Sequence, residues 1–172
     1  AQTRQDFAEQ AVRFRELFAV FEPWPRLGVF AVTGDIDPFP ELFDGTRVRV
    51  IDDQVVGFAT EPGLQLVGLG LPASRIPLGG RTLAAVEEFG GYSIVMGHAP
   101  DYAMPLIDGE VRGEMLCIAG HTHGGQVVVP GLGPPMTLTS VPRRFAAGGL
   151  FDCGDARLCI SRGIGLERGF AP

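Results

Sequence analysis

The chain has 172 residues, 45% of them hydrophobic and 20% charged, a composition that builds a core and suits one domain rather than a disordered segment. Fourteen basic against twenty acidic side chains leave a net charge of −6, which argues against general nucleic-acid binding through a basic face. No apolar run approaches the roughly 20 residues of a membrane span, and no signal-peptide pattern is present.

Residues 4–21 have the periodicity of an amphipathic helix. Phe7, Ala11, Phe14, Phe18 and Phe21 recur at helical spacing, Val12 and Leu17 widen the stripe, and Thr3 with Asp6 fits a capping box. "EPWP" at 22–25 should stop the helix. Three short continuous apolar runs follow the pattern of buried parallel strands: "GVFAV" (28–32), "YSIVM" (92–96) and "MLCIA" (115–119). Six others lie between turn signals and suggest antiparallel pairing: 47–51, 54–58, 64–69, 126–130, 143–149 and 156–161. "DD" at 52–53 and "CGD" at 153–155 are natural hairpin connections. A short helix is expected over 80–89 and a further turn or two over 101–108. Twenty-five glycines and fourteen prolines promise many tight loops, with no repeat and no linker, so we expect one α/β domain.

Cys117 sits in an apolar run and is expected to be a buried thiol, whereas Cys153 and Cys159 flank a turn and could pair. The sequence starts without Met, so we expect a trimmed, processed or excerpted chain, and the compartment stays open.

The three apolar runs share an ending. "VFAVTGD" delivers Asp35, "YSIVMGH" delivers His98 and "MLCIAGH" delivers His121. In α/β sheets functional groups collect beyond the carboxyl ends of strands, and a glycine there lets the backbone turn sharply. A lone His in such a place is more often a hydrogen-bonded structural residue, and an Asp after Thr-Gly more often a turn or cap. Every histidine of this chain, His123 included, lies at such a place. Imidazole is the commonest metal ligand, so the pattern points to metal binding. Arg143, Arg144, Arg162 and Arg168 offer phosphate-clamp chemistry, with surface solubility as the plainer role.

"GHTHGGQVVVPGLGP" resembles the Gly-His-x-His motif of the calcineurin-like metallophosphoesterases, in particular a bacterial phosphodiesterase branch in which "HTHGGQ" recurs. "VMGHAPD" is similar to the same branch's fourth motif. "LGVFAVTGDID" has the position and lead-in of the third, and "ISRGIG" looks like its final strand and turn. The likeness runs from about residue 7, in family order.

That resemblance implies an α/β fold of two mixed β-sheets forming a sandwich flanked by helices, incomplete at its amino-terminal strands. It implies phosphoester hydrolysis, of the phosphodiester kind, by a metal-activated hydroxide at a dinuclear site. The substrate would be a small or lipid-linked phosphoester, and the setting cytoplasmic or peripheral to the bacterial membrane. By position, Asp35, His98 and His121 would serve one divalent ion and His123 the other. The donors suit Mn, Fe, Zn, Co or Ni.

Two departures stand out. The family's first two motifs, Asp-x-His and Gly-Asp-x-x-Asp, have no counterpart in the 34 residues before Asp35. "GDID" has the wrong lead-in to be the second of them, and the chain then corresponds to the carboxyl-terminal part of the domain. Ile36 stands where the family has a histidine credited with stabilising the transition state or protonating the leaving group, and isoleucine can do neither. The rival expectation is therefore a catalytically impaired metal- or phosphate-binding module. Such a module would associate with a missing segment or a second copy of itself, because the sheet carrying "GVFAV" and "YSIVM" would expose an edge and a face.

Overall fold

Parallel strands need their apolar side chains covered on both faces, and the layers of this protein follow from that need. The computed structural model describes residues 4–20, 22–35, 40–77, 86, 88–125 and 137–163. Strands β3 (Gln54–Phe58), β4 (Glu61–Leu69), β5 (Tyr92–Gly97), β6 (Met115–Ala119), β7 (Gly149–Cys153) and β8 (Ala156–Ile160) form one sheet in the order β3-β4-β5-β6-β8-β7. Its four central strands are mutually parallel, and the two edge strands are antiparallel to their neighbours. Strands β1 (Val29–Ala31) and β2 (Val48–Val50) pair in parallel as a second, two-stranded sheet. The architecture is α/β, with two sheets and flanking helices.

The strand period of two sorts the side chains of the large sheet between two cores. Val67, Leu69, Val95, Cys117, Leu158 and Ile160 point to one face and are at most 5% exposed. That face is covered by Tyr102, Leu106 and Phe145, from the short helices described next. Full burial of each such aliphatic side chain contributes roughly 1.5–3 kcal/mol, so most of the packing energy lies here. Leu66, Ile94 and Met96 point the other way and meet Ile51, Phe30 and Val32, which belong to or flank the two-stranded sheet. At Gly68 the layers approach so closely that a Cβ would stand 2.1 Å from the Ile51 carbonyl oxygen. Any side chain there would part the sheets.

Helix α1 (Arg4–Ala19) stops before "EPWP", as its sequence requires. Its working stripe is narrower than the periodicity suggests. Ala11 is buried, and Phe14 stacks on Phe18 and meets Phe43 edge-on, while Val12 and Leu17 are exposed. Thr3 of the expected cap and Phe21 lie outside the described residues. The turn expected at 101–108 is a 3-10 turn, Pro100–Ala103, running into α3 (Met104–Ile107).

Other expectations are corrected. Segment 47–51 is β2 and pairs in parallel: its alternation of Val and Arg reports one exposed face, not strand direction. Strands β4 and β8 are antiparallel on one side only and parallel to β5 and β6 on the other. Segment 143–149 is not a strand but helix α4 (Arg143–Ala146). Pro142 opens it, and Gly148, at φ 82°, ends it just before β7 begins at Gly149. "DD" is not a hairpin, since it joins a strand of one sheet to a strand of the other. "GVFAV" and "YSIVM" likewise belong to different sheets. "CGD" does close a hairpin, between β7 and β8, with Gly154 at φ 68°. All three cysteines are free, and burial pushes the Cys117 thiol up to about 12. Of the helix expected over 80–89, residues 86 and 88 are helical and Val86 is buried. Residues 80–85 and 87 and the strand expected at 126–130 lie outside the described residues.

Candidate metal centre

Because β4, β5, β6 and β8 are parallel, their carboxyl ends lie along one side of the sheet. Strand β5 ends at Gly97 and hands over to His98; β6 ends at Ala119 and hands over to Gly120 and His121. The ladder runs one step past the strand ends: Gly120 N–H donates to the His98 carbonyl at 2.9 Å, and Ser161 N–H donates to that of Ala119 at 2.8 Å. From the other sheet, β1 leads through Thr33 and Gly34 to Asp35. Gly34 lies so close to the His98 ring that a Cβ would stand 2.9 Å from Nδ1. The glycine is what lets the two sheets bring these side chains together.

The result is a compact group. Asp35 Oδ1 lies 2.9 Å from His98 Nε2, Asp35 Oδ2 lies 3.3 Å from His121 Nδ1, and the two imidazole nitrogens are 3.1 Å apart. One ligand atom from each of the three residues lies within 4.8 Å of the others. Ligands about 2.0–2.1 Å from a Zn-like ion stand roughly 3 Å from one another, so both the spacing and the two-nitrogen, one-oxygen donor set fit a divalent ion. Burial raises the Asp35 carboxyl, but the charges of His98, His121 and Arg75 and a backbone hydrogen bond more than offset it, leaving it below its ordinary value. Burial also pushes His98 below the ordinary imidazole value, the Asp35 charge opposing it. Both shifts favour the deprotonated forms that bind metal.

A further set of contacts aims these groups. Asp101 is buried and accepts from Thr139 Oγ1 at 2.8 Å, Ser140 N–H at 2.7 Å and Ser140 Oγ at 2.6 Å. That holds the 139–140 turn beside Leu138, whose carbonyl oxygen is 3.2 Å from His121 Nε2. A proton on Nε2 donated to that carbonyl leaves Nδ1 as the free lone pair facing Asp35 and His98. Asp101 is therefore occupied in holding the turn. Asp52, from "DD", accepts from both N–H and Oγ1 of Thr33, and Asp53 accepts from Gly70 N–H, so each fixes a strand end.

The histidine loop carries strain. His121 and His123 both have positive φ, 66° and 49°, a conformation that costs a non-glycine residue about 1–3 kcal/mol and is tolerated where the surroundings require it. Gly124 follows at φ 66° and packs on Arg162, whose Nε donates to the Ala147 carbonyl. His123 does not join the triad, and its Nδ1 is buried without a hydrogen-bond partner among the described residues. Ile36, Asp37 and Arg168 lie outside the described residues. Tyr102 is fully buried, its hydroxyl 2.9 Å from the Ile118 carbonyl and 3.1 Å from that of Val95, so it packs rather than lining a pocket. Arg144 lies over the ring of Phe145.

One charged residue at the site is not singled out by its sequence. Arg75, just beyond helix α2 (Leu71–Ser74), places Nη2 2.5 Å from Asp35 Oδ2 and 3.4 Å from His121 Nε2. The signal that could have found it is the glycine after β4: "LVGLG" ends like the runs that lead to Asp35, His98 and His121, and assigning the segment to an antiparallel pair hides this.

No protein-family model matches the chain, and no solved structure matches it. Over 77 residues it is 34% identical to an uncharacterized metallophosphoesterase, YkuE, of Bacillus subtilis. The matched stretch is 45% of this chain and 25% of that relative, so the chain spans about a quarter of the relative's length. The likeness supports the metallophosphoesterase family.

Proposed function

We propose that this chain is the ion-binding part of a metal-dependent phosphoesterase and acts on phosphodiesters. The observation that carries the reading is the convergence of Asp35, His98 and His121 from two sheets onto one point. Asp35 Oδ, His98 Nε2 and His121 Nδ1 would hold a divalent ion, with Mn, Fe, Zn, Co and Ni all compatible with the donors. Such an ion supplies Lewis-acid polarisation of a phosphoryl oxygen and a nucleophile drawn from water. The chain's own groups would set the stage for it: Asp35 would offset part of the cation's charge, and the Leu138 carbonyl, 3.2 Å from His121 Nε2, would hold the proton of His121 on the far nitrogen. His123 would belong to a second ion whose remaining donors come from outside the described residues.

The buried, unpartnered His123 Nδ1 also favours a second reading, in which the chain holds one ion and completes its site only by associating with another segment or copy. Hydrolysis of bis(nitrophenyl) phosphate, assayed with Mn and with chelator, separates the two, with light scattering to follow association. Mn-dependent turnover by the chain supports the enzyme; Mn binding without turnover supports the module; absence of Mn binding overturns both. Ile36→His should raise turnover of alkyl diesters more than of nitrophenyl diesters, because only the former need a proton on the leaving group. Equal gains would mean that residue 36 does not face the leaving group.

A further inference from the structure

We propose that Arg75 is the substrate-binding residue of this site, the group that receives the anionic oxygens of the phosphoryl group; the inference rests on the phosphoesterase reading above. A phosphoester is an anion, and this chain carries a net charge of −6 with a carboxylate at the centre of the triad. Binding an anion there calls for a local cation. Among the described arginines, several are engaged elsewhere: Arg26 with Glu61, Arg47 with Glu22, Arg157 with Asp152, and Arg162 with a backbone carbonyl. Arg75 reaches the triad.

Its backbone is fixed where the site needs it. Gly70 N–H is held by Asp53, and Ser74, fully buried, donates from Oγ to the Leu71 carbonyl and accepts from Ala99 N–H, one residue past His98. The stem of Arg75 is thus tied to the strand end that presents His98. At the tip, Nη2 contacts Asp35 and His121, while Nη1 and Nε make no hydrogen bond to any described residue. The side chain is 44% exposed. A half-exposed ion pair adds little to stability, so the pairing does not by itself account for the arginine's placement. A guanidinium anchored through Nη2 still presents Nε–H and Nη1–H as charged donors along its two edges, and each can give a charge-assisted hydrogen bond to a phosphoryl oxygen.

Arg75 and a metal ion would both draw on the Asp35 carboxylate, and like charges repel. This gives the proposal a sign that a structural role would not. Calorimetric titration of the chain with Mn alone, and of the Mn-loaded chain with inorganic phosphate, reads both effects. Arg75→Met should bind Mn no more weakly than wild type, and up to several-fold more tightly, yet lose at least tenfold in phosphate affinity. Arg75→Lys, which keeps the charge without the several guanidinium donors, should recover part of the phosphate affinity. Phosphate binding unchanged in Arg75→Met overturns the proposal, and so does a parallel loss of Mn affinity, which would make Arg75 a prop for Asp35. If the wild-type chain binds no Mn, the metal reading fails while Arg75 remains testable on the same footing. Phosphate binding to the metal-free chain that disappears in Arg75→Met still supports it, and phosphate binding that persists overturns it.

Discussion

Two neighbouring parts of the histidine loop differ in how completely the chain satisfies them. At its start, His121 is matched at both ring nitrogens: Nδ1 faces Asp35 and His98, and Nε2 faces the Leu138 carbonyl and Arg75. Two residues on, His123 keeps a buried Nδ1 with no partner among the described residues. Both histidines adopt the same strained backbone, so local conformation is not the difference. Partners are. His121 meets groups delivered by other strands and loops, and a contiguous stretch of sequence cannot supply those.

The sharpest way to break this comparison is to remove each histidine in turn. His121→Ala should weaken Mn or Zn binding at least tenfold, about 1.4 kcal/mol, whereas His123→Ala should change it by less than roughly threefold. Equal effects in titration calorimetry would dissolve the distinction.

A second contrast uses acid on the metal-free protein. His98 is held below its ordinary value in the fold, so between that folded value and the unfolded value of about 6.5 the unfolded chain binds more protons. Stability is then fully present above about pH 6.5 and is lost as pH falls through the folded value. Asp35, also lowered, adds a loss of the same sign at lower pH, below the ordinary carboxylate value of about 3.9. Thermal melts with chelator should therefore show the melting temperature falling from pH 7 to pH 5, and His98→Gln should flatten that window. A wild-type profile already flat there would contradict the shift.

The smallest expected effect tests what aims His121. Asp101→Asn keeps the size of the side chain but weakens its hold on Thr139 and Ser140, hydrogen bonds to a charged acceptor that are worth about 1.5–3 kcal/mol each when intact. Metal affinity should fall several-fold, by less than in His121→Ala, and the loss should be smaller still in a His121→Ala background. An additive loss in that double mutant would show that Asp101 acts elsewhere.

Much of this was legible in the residues, and the exceptions are instructive. The boundaries of β6 match the apolar run "MLCIA", and the shared strand–glycine–ligand ending picks out Asp35, His98 and His121 before any coordinate is known. Strand direction was not legible, because the alternation that marks β2 reports which face is wet rather than which neighbour pairs, and in β4, buried on both faces from Gln65 to Leu69, the polar Gln65 interrupts the apolar run that marks a central strand. That one ambiguity hid Arg75, since its strand was not seen to end beside the others. Segment 143–149 was misread because Phe145 and Ala146 are apolar in either state, and the choice was made by Pro142 ahead of them and the glycines behind. The chain from Asp101 through the 139–140 turn and Leu138 to His121 could not be read at all, as it depends on a loop fold that brings residues 38 and 39 positions apart into contact.

The triad draws its side chains from two separate sheets, so an ion held there would have a mechanical role as well as a chemical one. Asp35 rides on the two-stranded layer, His98 and His121 on the six-stranded one, and Gly34 lets the layers touch. An ion coordinated by all three is a cross-link between layers, closing chain segments of 63 and 23 residues (35 to 98, 98 to 121) much as a disulfide would. Its contribution grows with metal concentration, reaching about 2.7 kcal/mol at a hundred times the dissociation constant. The layer junction should thus be the part of the protein whose amide exchange slows most when metal is added, so that the cell's supply of metal sets how firmly the two sheets are joined.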